Sequence, residues 1–490
     1  MMRANIRWIA PVVALAALAA CSVGPKYKRP TAPVPASFKE IDGWKPGQPQ
    51  QAASGTAWWS VYNDPLLDDL EKQIDISNQT LKASEAAFRQ ASALVREARA
   101  AYFPTVGVDA SAVRSGTGSG GKTGQATFKS QFETTGTLSW EIDVWGRIRR
   151  QVEASYANAQ ASAADLAAAR LSAQSALATD YLELRINDEL GRLLDATADA
   201  DQKSLEITRN RYAQGTAAKS DVAQALAQVE GVRAQLINVG VQRAQLEHAI
   251  AVLIGKPPAD FAIAPTPLDQ GVPVVPPGVP STLLERRPDI AAAERAAASA
   301  NAQIGVAIAA YYPSITLSAS YGLVSSAIQN LFRASNAVWS VGPQLAETVF
   351  DAGLRSAQVA AARASYDQTI ANYRQTVLAA FQQVEDELAA LRILERQAEV
   401  QDRAVKASEE AEALILNQYK AGTVAYTNVI TAQTVSLGDK QTALSILQSR
   451  LVASVVLIEA LGGGWTAANL PSHDQIRAGP TPPATGAPSP

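Results

Sequence analysis

The sequence predicts a mainly α chain that carries a membrane β-sheet, built as two tandem copies of one unit. Three observations predict it. First, residues 353–461 contain no proline and hold the apolar series Val377, Phe381, Val384, Leu388 and Leu391, stepping 4, 3, 4, 3. That is heptad spacing, the pattern of one helix packed on another as a coiled coil. One turn, Tyr419-Lys420-Ala421-Gly422-Thr423, divides the stretch. The arm before the turn, about 65 residues, is roughly 100 Å long at 1.5 Å per residue, a rod and not an ordinary globular helix. Second, motifs recur at nearly one offset, 207 to 209 positions. Ala100-Ala101-Tyr102-Phe103-Pro104 returns 209 positions later as Ala309-Ala310-Tyr311-Tyr312-Pro313. Gly146 returns as Gly353, and Tyr212-Ala213-Gln214-Gly215-Thr216 as Tyr419 to Thr423, both 207 later. Such an offset is a duplication. Third, between the helices the hydrophobic period switches from 3.6 to 2.

The 490 residues are 47% hydrophobic but only 6% aromatic, which suits long helices packed through small side chains. The net charge is −3, with no basic stripe of the kind nucleic acid requires. One cysteine excludes an intrachain disulfide, and two histidines, His248 and His473, argue against a His/Cys metal site.

Residues 1–20 read as a signal peptide: Arg3 and Arg7, then an apolar run too short to span a bilayer. The run ends Leu18-Ala19-Ala20-Cys21, a bacterial lipobox, and the chain's only cysteine stands at the cut. Cys21 is therefore expected to carry a covalent lipid, diacylglycerol with an N-acyl (palmitate-type) chain, and several chains anchor firmly. The mature charge becomes −5, from 41 basic and 46 acidic residues. Residues 21–62 are predicted to form a lipidated extended arm lying over the body. Its composition is that of a linker.

The first repeat is assigned to 63–255. Asp64 is the expected N-cap and Pro65 the first helical residue, with one helix running to about Ala101. Val106, Val108, Ala110 and Ala112 then alternate with polar residues, as do Leu138, Trp140, Ile142 and Val144. The second repeat, 281–465, matches it with Ile315, Leu317, Ala319, Tyr321 and Leu323, and with Trp339, Val341, Pro343 and Leu345. Strands of about 10 residues with one apolar face are the pattern of a transmembrane β-barrel. Trp140, Trp145, Tyr311, Tyr312 and Trp339 suit aromatic girdles, and loops 116–124 and 325–333 are expected outside. A small soluble sheet would show the same alternation. Four strands do not close a channel, and lipid does not tolerate open sheet edges. Three copies of four strands give a 12-stranded barrel. The loop Gly121-Lys122-Thr123 is not followed by a helix, so it is not a phosphate loop.

Residues 256–280 form a proline-rich connector. Thr282 and Glu285 are the pattern of a capping box, and Pro288 suits a first helical turn. Residues 466–490 read as a disordered tail. Acidic pairs such as Asp68-Asp69 and Glu409-Glu410 lie on helical faces as solvated charges, so the chain is not expected to be an enzyme.

The lipobox at Cys21, Trp58-Trp59 with Asp64-Pro65, Leu-Leu-Glu-Arg-Arg-Pro-Asp-Ile at 283–290, the paired Tyr-x-x-Gly-Thr turns and Leu461-Gly-Gly-Gly-Trp465 together resemble the TolC-like outer membrane factor family. Within it they resemble the NodT-type efflux lipoproteins. The resemblance covers roughly 21–470. It implies a homotrimer with a 12-stranded barrel in the outer membrane of a Gram-negative bacterium, continuous with a 12-helix periplasmic coiled-coil tunnel. The implied function is the exit duct of a tripartite efflux system for drugs or other toxic compounds, and so multidrug resistance. The implied partners are a periplasmic adaptor, an inner-membrane RND-type transporter and outer-membrane lipid. A duct for type I protein secretion, or a structural periplasmic coiled-coil lipoprotein, is the alternative. Carried over, the adaptor-facing tips are Tyr212, Gly215, Thr216, Tyr419, Gly422 and Thr423, which also serve simply as turn residues. Relatives often place a gating aspartate and arginine after the second turn. Here those positions are Thr431 and Thr434, so that gate is not carried over. Asp221 either rings the pore mouth or caps its helix.

Overall fold

The structure, a computed structural model, describes residues 22–40, 57–117, 127–268, 271–275 and 280–479. Residues 1–20, read above as a signal peptide, Cys21, much of the arm, most of the 116–124 loop, parts of the connector and the last eleven residues lie outside the described residues.

The first half runs α1 (Pro65–Ser77), α2 (Gln79–Ala100), β1 (Thr105–Thr117), β2 (Thr127–Glu141), α3 (Arg147–Ala213) and α4 (Lys219–Leu253). The second half runs α5 (Leu283–Arg286), α6 (Pro288–Ala309), β3 (Ser314–Ser325), β4 (Ala337–Ala346), α7 (Leu354–Ala421) and α8 (Tyr426–Ala460), followed by α9 (His473–Ala478). The two long arms have 67 and 68 residues, and each return helix has 35. The rod predicted from the heptads is therefore present twice. Gly146 and Gly353 open the arms with φ of 82° and 91°, a left-handed conformation that glycine adopts without a Cβ penalty.

Asp64 caps α1 as expected, accepting from the backbone N–H of Leu66 and Leu67 at 2.9 and 3.2 Å. The single helix expected from 63 to 101 is instead broken at Asn78. Asn78 is extended, and its side chain caps α2 by accepting from Leu81 N at 2.8 Å. The break receives the end of α4: Asn78 donates to Leu253 O and Ser77 to Ile254 O. Gly255, at φ +70°, lies so close that a Cβ there would be 2.3 Å from Ser77 O. The second copy repeats the device, with Gly462 at φ +97° and a Cβ position 2.1 Å from Arg286 O.

Three further expectations are corrected. The second strand stops at Glu141, because Asp143 leaves the ladder to accept from Ile148 N and Arg149 N at the head of α3. Thr282 has helical φ and ψ and does not cap; extended Arg287 marks the boundary before Pro288. Residues 466–479 of the tail are folded. Ser472 and Gln475 form a capping box, Ile476 is buried against Val95, Ile148 and Val152, and His473 stacks on Tyr156 at 4.2 Å.

The main core lies midway along the rods, where Trp58, Tyr62, Leu67 and Ile74 meet Tyr181 and the heptad residues Val377, Phe381, Val384, Leu388 and Leu391. Helix α8 is long and apolar enough by composition to cross a bilayer, yet it packs against α7 and α3. Residues 22–40 of the arm are docked along the body. Tyr27 donates to Glu294 at 2.5 Å, Glu385 accepts from Lys39 N and Glu40 N at 2.7 and 2.9 Å, and Phe38 is buried in the main core.

Candidate functional site

The sheet has the order β1-β2-β3-β4, antiparallel throughout. Paired residues share a face, so the register decides what each face presents. One row reads Val106, Leu138, Ala319, Val341, and the next Val108, Gly136, Tyr321, Trp339. The alternate rows read Gly107, Thr137, Ser320, Ser340 and Thr105, Ser139, Ser318, Gly342. The alternation seen strand by strand thus aligns across all four strands into one apolar and one polar face. Strands of 10 to 15 residues are long enough to cross a bilayer when tilted. Strands β1 and β4 are the edges of the sheet among the described residues. Open edges are not tolerated in hydrocarbon, so further copies must complete the sheet.

Aromatic groups mark the rim where sheet becomes helix. Trp140 donates to Tyr102 O at 3.0 Å, Trp145 donates to Pro313 O at 2.9 Å, and Trp145 stacks on Tyr312 at 4.8 Å. The arm starts at this rim. Val23 N donates to Trp145 O at 3.1 Å, and Ser22 lies against Gly146. Cys21 itself lies outside the described residues.

At the far end, both hairpins turn alike. Gly215 (φ 74°) donates to Tyr212 O, and Thr216 closes the turn on Arg211 O through both its N–H and its hydroxyl, at 2.9 and 3.1 Å. Gly422 (φ 81°) donates to Tyr419 O, and Thr423 closes on Gln418 O in the same two ways, each at 3.0 Å. The threonine hydroxyl satisfies a helix-end carbonyl, which is the local reason for the Tyr-x-x-Gly-Thr pattern.

The two turns are not equivalent in their surroundings. Tyr212, Gly215, Thr216, Gly422 and Thr423 are exposed. Tyr419, expected to face a partner, is buried. Its ring packs on Tyr426 at 5.1 Å, its hydroxyl donates to Thr208 Oγ1 at 3.2 Å, and the Arg211 guanidinium lies over it at 4.6 Å. Arg211 also donates to Tyr419 O. Tyr419 therefore ties one tip to the other, and Arg211 and Thr208, absent from the sequence reading, complete the tie. Asp221 accepts from Ala218 N at 3.3 Å in the first turn of α4, the capping alternative for that residue. Thr431 donates to Thr427 O at 2.9 Å within α8, and Thr434 is exposed.

A family model described as outer membrane efflux protein matches residues 70–256 and 279–463. The toluene efflux pump outer membrane protein TtgC of Pseudomonas putida is 32% identical over 461 residues, covering 91% of this chain and 93% of that one. The solved outer-membrane channel OprN superposes with a TM-score of 0.85 at 28% identity, over 91% of this chain and all of that one. The open state of the MtrE outer membrane channel of Neisseria gonorrhoeae superposes with a TM-score of 0.81 at 29% identity, over 91% and 99%. The expected fold class, long helical hairpins continuous with a short membrane sheet, is that of these channels.

Proposed function

Because the chain belongs to the outer membrane efflux protein family, whose members are outer-membrane channel components of efflux pumps, we propose that it forms a homotrimeric duct. Three four-stranded sheets close one barrel, and three pairs of hairpins form the tunnel below it. A periplasmic adaptor meets the exposed tips around Tyr212, Gly215, Thr216, Gly422 and Thr423. An RND-type inner-membrane transporter supplies the energy. The duct is passive and not an enzyme. Cys21 carries diacylglycerol and an N-acyl chain in the outer membrane, and Ser22 at the aromatic rim supports that depth. The cargo is a drug or other small toxic compound, by analogy with the toluene efflux relative.

The observation that carries this reading is the register of the sheet, which gathers one apolar face over four strands with two open edges among the described residues. Deleting the gene is expected to raise dye accumulation and solvent or drug sensitivity, and the wild-type chain is expected to restore export. A deletion strain that exports every tested compound normally would overturn it.

A further inference from the structure

We propose that Asp201 is a proton-binding site that couples the packing of the two helical hairpins of each chain to the pH of the periplasm. The inference rests on the conduit reading above for its consequence, not for the site itself. Ser204 of α3 accepts from Gln433 Nε2 of α8 at 3.3 Å. The two helices run antiparallel, so three residues back on α3 and three forward on α8 bring Asp201 opposite Ser436. Asp201, Ser204, Gln433 and Ser436 are each no more than 3% exposed. Asp201 Oδ2, Gln433 Oε1 and Ser436 Oγ have no hydrogen-bond partner among the described residues. An orphaned buried polar atom is costly, and three at one seam mark a place where a proton changes the balance.

The groups around Asp201 come from every packed element. Gln228 of α4 hydrogen-bonds the carboxyl, Glu412 of α7 adds a like charge, and the Tyr426 phenol at the head of α8 is held up partly by Asp201. From α8, Gln433 and Ser436 offer no charge. Among the described residues no arginine, lysine or histidine acts on it. Burial first, then Glu412, pushes the carboxyl from 3.8 up to about 6. The protonated form removes the buried charge and turns the unpartnered carboxylate oxygen into an O–H donor.

The sign follows. A carboxyl raised by packing favours the packed seam when protonated. As pH rises from about 3.8 through about 6, the separated state sheds its proton first, and the packed seam loses stability. If separation restores the ordinary value, the ratio of parted to packed hairpins rises about tenfold between pH 5 and pH 8, the last part of a rise of about a hundredfold from acid pH. Asparagine at 201 keeps the shape and cannot ionise.

The test compares purified wild-type trimer with Asp201→Asn in two readouts. In planar bilayers, wild-type open probability should rise about tenfold between pH 5 and pH 8, and that of D201N should stay low and flat. In thermal melts, D201N should exceed wild type slightly at pH 5 and by several degrees at pH 8. If D201N fails to assemble, Glu412→Gln replaces it, and the wild-type midpoint should move to lower pH. An unchanged pH dependence in both variants overturns the proposal. Melts that behave as stated while no channel opens at any pH support the proton site and contradict the conduit reading instead.

Discussion

Replacing Gly462 by valine is expected to abolish assembly of the protein in the membrane. The residue sits at φ +97°, and a Cβ there would lie 2.1 Å from the Arg286 carbonyl oxygen. That neighbour is backbone and cannot swing away as a flexible side chain would. Valine therefore adds left-handed strain to a displacement of α5 from the end of α8. The cost should be about 3–5 kcal/mol, a large share of the stability of a marginally stable fold. Gly353 is the control. It has a similar φ of 91°, but nothing lies within 4 Å of its Cβ position. Gly353→Ala should cost only about 1–2 kcal/mol. The check is the amount of each variant recovered in outer-membrane fractions and its melting midpoint. Equal recovery for Gly462→Val and wild type would show that the approach of Arg286 is not tight.

Replacing Gly422 by proline is expected to stop export and leave the membrane assembly intact. Gly422 ends α7 at φ +81° and donates its N–H to Tyr419 O. Proline removes that donor and requires φ near −65°, a local cost of ~3 kcal/mol or more. The damage stays local because the main core ends near Leu391, 31 residues up the helix and so roughly 45 Å away. Its turn carries the exposed Thr423 and the buried Tyr419 that ties the tips. Export by a complemented deletion strain should fall about tenfold or more, as a loss of more than about 1.4 kcal/mol of productive coupling implies. Full export with normal protein levels would mean that this tip does not meet the partner.

The long helices and their turns were legible because their signals are local. A proline-free heptad run and a Gly-Thr pair each act within a few residues of themselves. The sheet was legible for a second reason: its alternation repeats in four segments and twice along the duplication. The break at Asn78 was not legible, since an asparagine between Ser77 and Gln79 looks like one more polar helical residue. Its cause is remote, the arrival of Leu253 and Ile254. The same holds for Tyr419. The repeat suggests that it matches Tyr212, and only the packing of one hairpin on the other distinguishes the buried ring from the exposed one. Asp201 reads as one carboxylate among many on a charged helix, and its burial depends on α8, more than 200 positions away. The folded tail does carry a local signal. Ser472-His473-Asp474-Gln475 has the Ser-x-x-Gln form of a capping box, and it outweighs the Pro- and Ala-rich composition around it.

The central claim is that one chain supplies a third of a closed membrane duct. Native mass spectrometry of the protein extracted in detergent from outer membranes tests it most directly. The account predicts a complex of three chains, each carrying the mass of the lipid on Cys21, with no stable monomer. A monomer that persists in detergent, or a protein recovered without detergent from the soluble periplasmic fraction, would contradict it.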